Sequence, residues 1–120
     1  MNLKNPLLLV SLALVFTSCT NDSTSDLTEA IPADETITFS RVRTIMQSNC
    51  TSCHGATPTS GAPNSLVTYN DVKTAILESD LIGRMSVENG GDGLMPEGGP
   101  RLPQTTIDLV IKWQADGFQE

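Results

Sequence analysis

Aromatic residues are scarce in this sequence: Phe16, Phe39, Tyr69, Trp113 and Phe118 are the five among 120 residues. A small domain with so few large side chains builds a thin core unless something else supplies apolar mass. Basic residues are scarce too, 7 Lys and Arg against 14 Asp and Glu, for a formal net charge of −7. That balance argues against nucleic acid as a partner and suits a soluble domain that meets positively charged proteins. A single histidine, His54, excludes any site built on a histidine pair within one chain. No apolar run approaches the ~20 residues that span a bilayer. Repeats, β-type alternation and heptads are also missing, and the length allows one domain at most. What remains is an all-α domain of short helices.

The stretch Asn49-Cys50-Thr51-Ser52-Cys53-His54-Gly55 organises the chain. Cys-x-x-Cys-His is the spacing of a covalent haem attachment site. Two thiols add across the two vinyl groups of the ring, and the histidine beside the second cysteine ligates the iron. A redox dithiol is a second use of Cys-x-x-Cys, and zinc a third. The dithiol use calls for a βαβ surround, which is not visible. Zinc calls for a second ligand pair, and the only other cysteine is Cys19 in the leader.

Residues 1–18 read as a lipoprotein signal peptide: Lys4, then the ten-residue apolar run Leu7 to Phe16, then Thr17-Ser18 before Cys19. A run of that length marks an export signal and not a membrane span. Cys19 after small residues resembles a bacterial lipobox, so Cys19 is the expected lipidation position, with several acyl chains giving stable anchoring. Residues 19–37 read as a lipid-anchored disordered linker. They carry Asp22, Asp26, Glu29, Asp34 and Glu35, include Pro32, and have no basic residue or apolar periodicity.

Residues 38–120 are the expected domain. Phe39, Val42, Ile45, Met46 and Asn49 fall at helical spacing, with Ser40 as N-cap. Gly55 to Ser65 is a loop with two glycines and two prolines. One of its carbonyls is the expected acceptor for the second ring N–H of His54. Thr68 or Asn70 caps a second helix carrying Val72, Ala75 and Ile76, with a break at Ser79-Asp80 and an apolar continuation through Leu81, Ile82 and Met85. Glu88 to Pro103 holds Gly90, Gly91, Gly93, Gly98 and Gly99 with three prolines, a loop too long to be an idle turn. The last helix is expected from Thr105, where Thr105-x-x-Asp108 has capping-box form, to a stop at Gly117.

Three pieces in order, Cys50-Thr51-Ser52-Cys53-His54-Gly55, then Gly93-Leu94-Met95-Pro96, then the C-terminal helix with Trp113 and Gly117, resemble the small monohaem c-type cytochromes of bacteria. The resemblance spans about residues 38–118. It implies a cytochrome c-like fold, with three to four short helices and long Gly/Pro-rich loops around one covalently bound haem c. It also implies that the first and last helices cross beside the haem, and that attachment is completed outside the cytoplasmic membrane.

The sixth iron ligand is then Met46, Met85, Met95 or none. Met95 is preferred, because glycines let its backbone lie close to a ring and Pro96 holds it extended, and because it matches the family's loop methionine. Met46 and Met85 read as packing residues. Arg84 and Arg101 flank this loop as candidate counter-charges for haem propionates, with Arg101 preferred. His54 and Met95 together leave no position for a small-molecule substrate. The expected role is therefore a one-electron carrier and not an enzyme, exchanging electrons with redox donor and acceptor proteins. It would be exported and lipid-anchored at the periplasmic side of a bacterial membrane or at the cell surface. The alternative is a haem enzyme or gas-binding sensor with an open sixth position.

Overall fold

The computed structural model describes residues 31–120. The leader at 1–18, Cys19 and most of the 19–37 linker lie outside the described residues. Four helices follow in order: α1 (Phe39–Asn49), α2 (Tyr69–Glu78), α3 (Leu81–Ser86) and α4 (Gln104–Ala115). Among the described residues there is no strand, only a parallel bridge between Thr38 and Gln119. The domain is all-α. No helix among them is long and apolar enough to cross a membrane.

Each helix buries the stripe its sequence spacing places on one face. Phe39, Val42, Ile45 and Met46 are buried on α1, and Val72, Ala75 and Ile76 on α2. Leu81 and Met85 are buried on α3, and Ile107, Val110 and Trp113 on α4. α4 packs against both α1 and α3, and α2 packs on α3.

The helix ends separate good sequence signals from weak ones. At α2, Thr68 Oγ1 accepts the Asp71 N–H at 3.2 Å, and Asp71 accepts the Thr68 N–H at 2.9 Å, a complete capping box. The expected break at Ser79-Asp80 is present, with Asp80 in the left-handed region at φ 53°. α1 starts earlier than Ser40, with extended Thr38 at the N-cap, because the Phe39 N–H is taken by the Gln119 carbonyl at 2.8 Å. The capping box expected at Thr105 does not form. α4 begins at Gln104 behind Pro103, and the Gln104 side chain donates to Asp108 at 2.7 Å, engaging the carboxylate the box required.

The end of α4 is a full Schellman motif. The Gly117 N–H reaches the Gln114 carbonyl at 3.1 Å and the Phe118 N–H reaches Trp113 at 2.9 Å, with Gly117 at φ 82°. The Phe118 ring then meets Trp113 edge-on at 4.9 Å. Phe39 and Tyr69 complete this aromatic cluster, with centroids 5.5 to 5.6 Å from each other and from Trp113. Its polar atoms are satisfied by the C-terminal residues: Trp113 Nε1–H donates to the Gln119 carbonyl at 2.7 Å, and the Tyr69 hydroxyl to the Phe118 carbonyl at 2.9 Å. Ile37, placed by sequence in the linker, is fully buried, and its N–H donates to Asp116 Oδ2 at 2.9 Å. The packed body therefore begins before residue 38.

Candidate functional site

α1 ends one residue before Cys50, and the chain then makes a single tight turn. The Met46 carbonyl accepts the N–H groups of both Cys50 (2.8 Å) and Thr51 (3.0 Å). The Cys50 carbonyl in turn accepts those of Cys53 (3.1 Å) and His54 (2.8 Å). A side chain at Gly55 would stand 3.1 Å from the Thr51 carbonyl oxygen, so glycine lets the turn close. The consequence is that Cys50, Cys53 and His54 line one cavity of about 1280 Å³. That exceeds the ~300–1,000 Å³ of ordinary small-molecule pockets. Leu66, Leu81, Met85, Leu94 and Leu102 supply apolar wall, and the glycine-rich loop carrying Met95 lines the same cavity.

His54 is oriented from behind. Its Nδ1 lies 2.8 Å from the Asn64 carbonyl oxygen. A carbonyl only accepts, so the proton is on Nδ1 and the lone pair is on Nε2. Asn64 thus fills the role the sequence assigned to an unnamed carbonyl of the 55–65 loop. The Leu66 N–H donates to the His54 carbonyl at 2.9 Å, so ring and main chain are held by the same segment.

Both thiols are free and partly exposed. Burial pushes the Cys50 thiol up to about 11, the reverse of the lowered value an attacking redox dithiol uses. Among the described residues no group of three or more His, Cys, Asp or Glu side chains is placed to hold a metal ion by itself. Two thiols for attachment, one imidazole backed by a carbonyl, a thioether and a large apolar-walled cavity suit a covalently held haem.

The methionines divide as their positions dictate. Met46 is buried in α1 and does not line the cavity. Met85, 1 % exposed, and half-buried Met95 both do. The Met95 N–H donates to the Arg84 carbonyl at 3.0 Å, tying the loop to α3. Gly93 at φ 81° sits where a Cβ would come within 3.3 Å of Arg84 Nη1. Arg84 is therefore on the cavity wall. Arg101, the arginine preferred from sequence, is directed elsewhere: its guanidinium donates to the Ser86 carbonyl at 3.2 Å and to Gln104 Oε1 at 2.6 Å. Its position is explained by the Asn89 side chain, which accepts the Arg101 N–H at 2.7 Å and folds the loop back.

Sequence reasoning missed two contributors. Asn64 acts through its main chain, for which no residue type is a signal. Asp71 signals only a helix cap, yet it also accepts from Ser65 Oγ at 3.0 Å and the Val67 N–H at 3.3 Å. Compared with known proteins, the chain matches no family model, and no curated protein or solved structure matches it significantly.

Proposed function

We propose that this chain is a one-electron carrier of the small c-type cytochrome kind, holding one haem c through Cys50 and Cys53 with His54 and Met95 as axial ligands. The observation that carries the reading is the convergence of these four residues on one apolar-walled cavity, with the His54 Nδ1 proton already held by Asn64. When bound, the haem supplies a one-electron ferric/ferrous couple at its iron.

The chain's own residues do the rest. The two thiols fix the group covalently at the end of α1. The Asn64 carbonyl holds the imidazole in one tautomer and raises its basicity at Nε2. Leu66 and Leu94, both under 10 % exposed, line the cavity and would limit water within it. Arg84, and not Arg101, is the proposed counter-charge for propionates. With both the His54 imidazole and the Met95 thioether holding the iron, no position would remain for substrate, so the proposed role is electron transfer and not catalysis. The acidic surface suits positively charged redox donors and acceptors. A lipid on Cys19 would tether the carrier at the periplasmic side of a bacterial membrane or at the cell surface.

The test is the intact mass of protein exported from a strain with working cytochrome maturation. The expected result is one added haem that survives acid–acetone extraction, with normal attachment lost in Cys53→Ser. Finding only the haem-free mass overturns the proposal. A haem-loaded protein lacking the sulfur-to-iron charge-transfer band replaces it with the open-site alternative.

A further inference from the structure

The segment Asn64–Thr68 is stitched to the rest of the chain along both edges. On one edge His54 engages it twice, through Nδ1–H to the Asn64 carbonyl (2.8 Å) and through its own carbonyl to the Leu66 N–H (2.9 Å). On the other edge a single oxygen, Asp71 Oδ2, accepts from the Ser65 hydroxyl (3.0 Å), the Val67 N–H (3.3 Å) and the Thr68 N–H (2.9 Å). The Thr68 N–H above all, with help from the Thr68 and Ser65 hydrogen bonds, holds the Asp71 carboxyl below the usual aspartate range.

Capping α2 requires only part of this set. The capping box consists of the Thr68 N–H to Asp71 and the Asp71 N–H to Thr68 Oγ1. The bonds from Ser65 and Val67 are surplus to it, and they fall on the two residues that flank Leu66. Charge-assisted bonds to a carboxylate are the stronger kind. Here they run from the first turn of a regular helix to the segment that carries the acceptor for the His54 ring.

We propose that Asp71 is a positioning residue for His54: by holding Ser65 and Val67 it fixes the Asn64 carbonyl, and so fixes the tautomer and donor strength of the imidazole. The redox consequence rests on the haem reading above; the placement of the proton rests on the geometry alone. Without the carboxylate, Val67 and Thr68, both exposed, turn their N–H groups to water. The segment then loosens, the Asn64–His54 bond weakens, and the imidazole becomes a poorer donor at Nε2.

His54 is the only histidine, so ¹⁵N-histidine labelling gives one ring to observe in the exported full chain. Solvent exchange of its Nδ1–H and the midpoint potential of the reduced-to-oxidised couple are measured in four proteins: wild type, Asp71→Ala, Ser65→Ala and Thr68→Ala. Asp71→Ala should speed exchange by roughly ten- to a hundredfold, the equilibrium weight of one hydrogen bond to a charged group, and should raise the potential. Ser65→Ala leaves the capping box intact and should move both readouts the same way by less. Thr68→Ala weakens the helix cap but keeps all three bonds to Asp71 Oδ2, and should move neither. Unchanged exchange in both Asp71→Ala and Ser65→Ala overturns the proposal, as does equal acceleration in Thr68→Ala, which would make Asp71 a helix cap and nothing more. If Asp71→Ala does not accumulate, Ser65→Ala against Thr68→Ala decides alone. Haem-free protein in all four overturns the haem reading, while Nδ1–H exchange still decides the role of Asp71.

Discussion

The two cavity methionines should separate stability from redox chemistry. Met85 is 1 % exposed on α3, so Met85→Ala deletes a fully packed side chain and should cost ~2–5 kcal/mol. Met85→Leu conserves volume and should cost less than ~1.5 kcal/mol. Met95 is only half-buried, and its loop is tied to α3 through its main-chain N–H, which alanine retains. Against the ~1.5–3 kcal/mol of a fully buried methionine, Met95→Ala should therefore cost about 1 kcal/mol. If Met95 ligates the iron as proposed, its effect falls there instead. Each tenfold preference of the thioether for ferrous over ferric iron corresponds to ~59 mV for one electron, and that preference is lost with the sulfur. The assay is a thermal melt, a red-region absorption spectrum and a redox titration on the same haem-loaded preparations. Met95→Ala should lose the sulfur-to-iron band, bind added cyanide and show a lower midpoint with a nearly unchanged melt. Met85→Ala should melt earlier with the band in place. If the band survives Met95→Ala and disappears in Met85→Leu, the assignment of the axial ligand to the loop is wrong.

Asp116 is held below the usual aspartate value by the Ile37 N–H first and by Lys112 second. A carboxyl depressed in the folded state contributes stability that is present above its unfolded value of ~3.9 and is lost as pH falls through the folded one. Asp116→Asn should accordingly narrow the stability difference between pH 7 and pH 2, and an unaltered acid limb in a pH series of melts would contradict this. Deleting Phe118–Glu120 removes the acceptors for the Phe39 N–H, the Trp113 indole and the Tyr69 hydroxyl. At ~1–3 kcal/mol each, the loss of at least ~3 kcal/mol should lower the melting temperature by more than ~10 °C, while the absorption spectrum stays that of the parent. Cys19→Ser should move the protein from the membrane to the soluble fraction, and an unchanged distribution on fractionation would rule out lipid at that position.

The features legible in the sequence were those in which one residue type has one local job. Cys50, Cys53 and His54 are adjacent along the chain, so their meeting at one cavity needed only a single turn. A cap at Thr68, the break at Ser79-Asp80 and the stop at Gly117 were legible for the same reason. The features that were not legible depend on partners far away in sequence. Ile37 looked like the end of a polar leash because Asp116, 79 residues on, is what fixes it. Ser40 looked like a cap because the Gln119 carbonyl that starts the helix two residues sooner is equally remote. Arg101 looked free because an asparagine 12 positions back holds its main-chain N–H and a carbonyl 15 back accepts from its guanidinium, beside the nearby Gln104. Asn64 acts through an atom that every residue possesses.

The bridge between Thr38 and Gln119 brings the beginning and the end of the packed body side by side. Cys50 lies at the other end of α1, whose 11 residues span ~16 Å. Neighbouring termini are the condition for circular permutation. A short linker from Glu120 to the segment before Ile37, with new ends opened among the exposed residues Ala56 to Ser60, would keep every helix and move the domain's N-terminal end from the aromatic pole to the cavity pole. With a lipid attached at either point, the same domain would present opposite poles to the bilayer, and the rate of electron exchange with a soluble partner would read out which pole has to stay free.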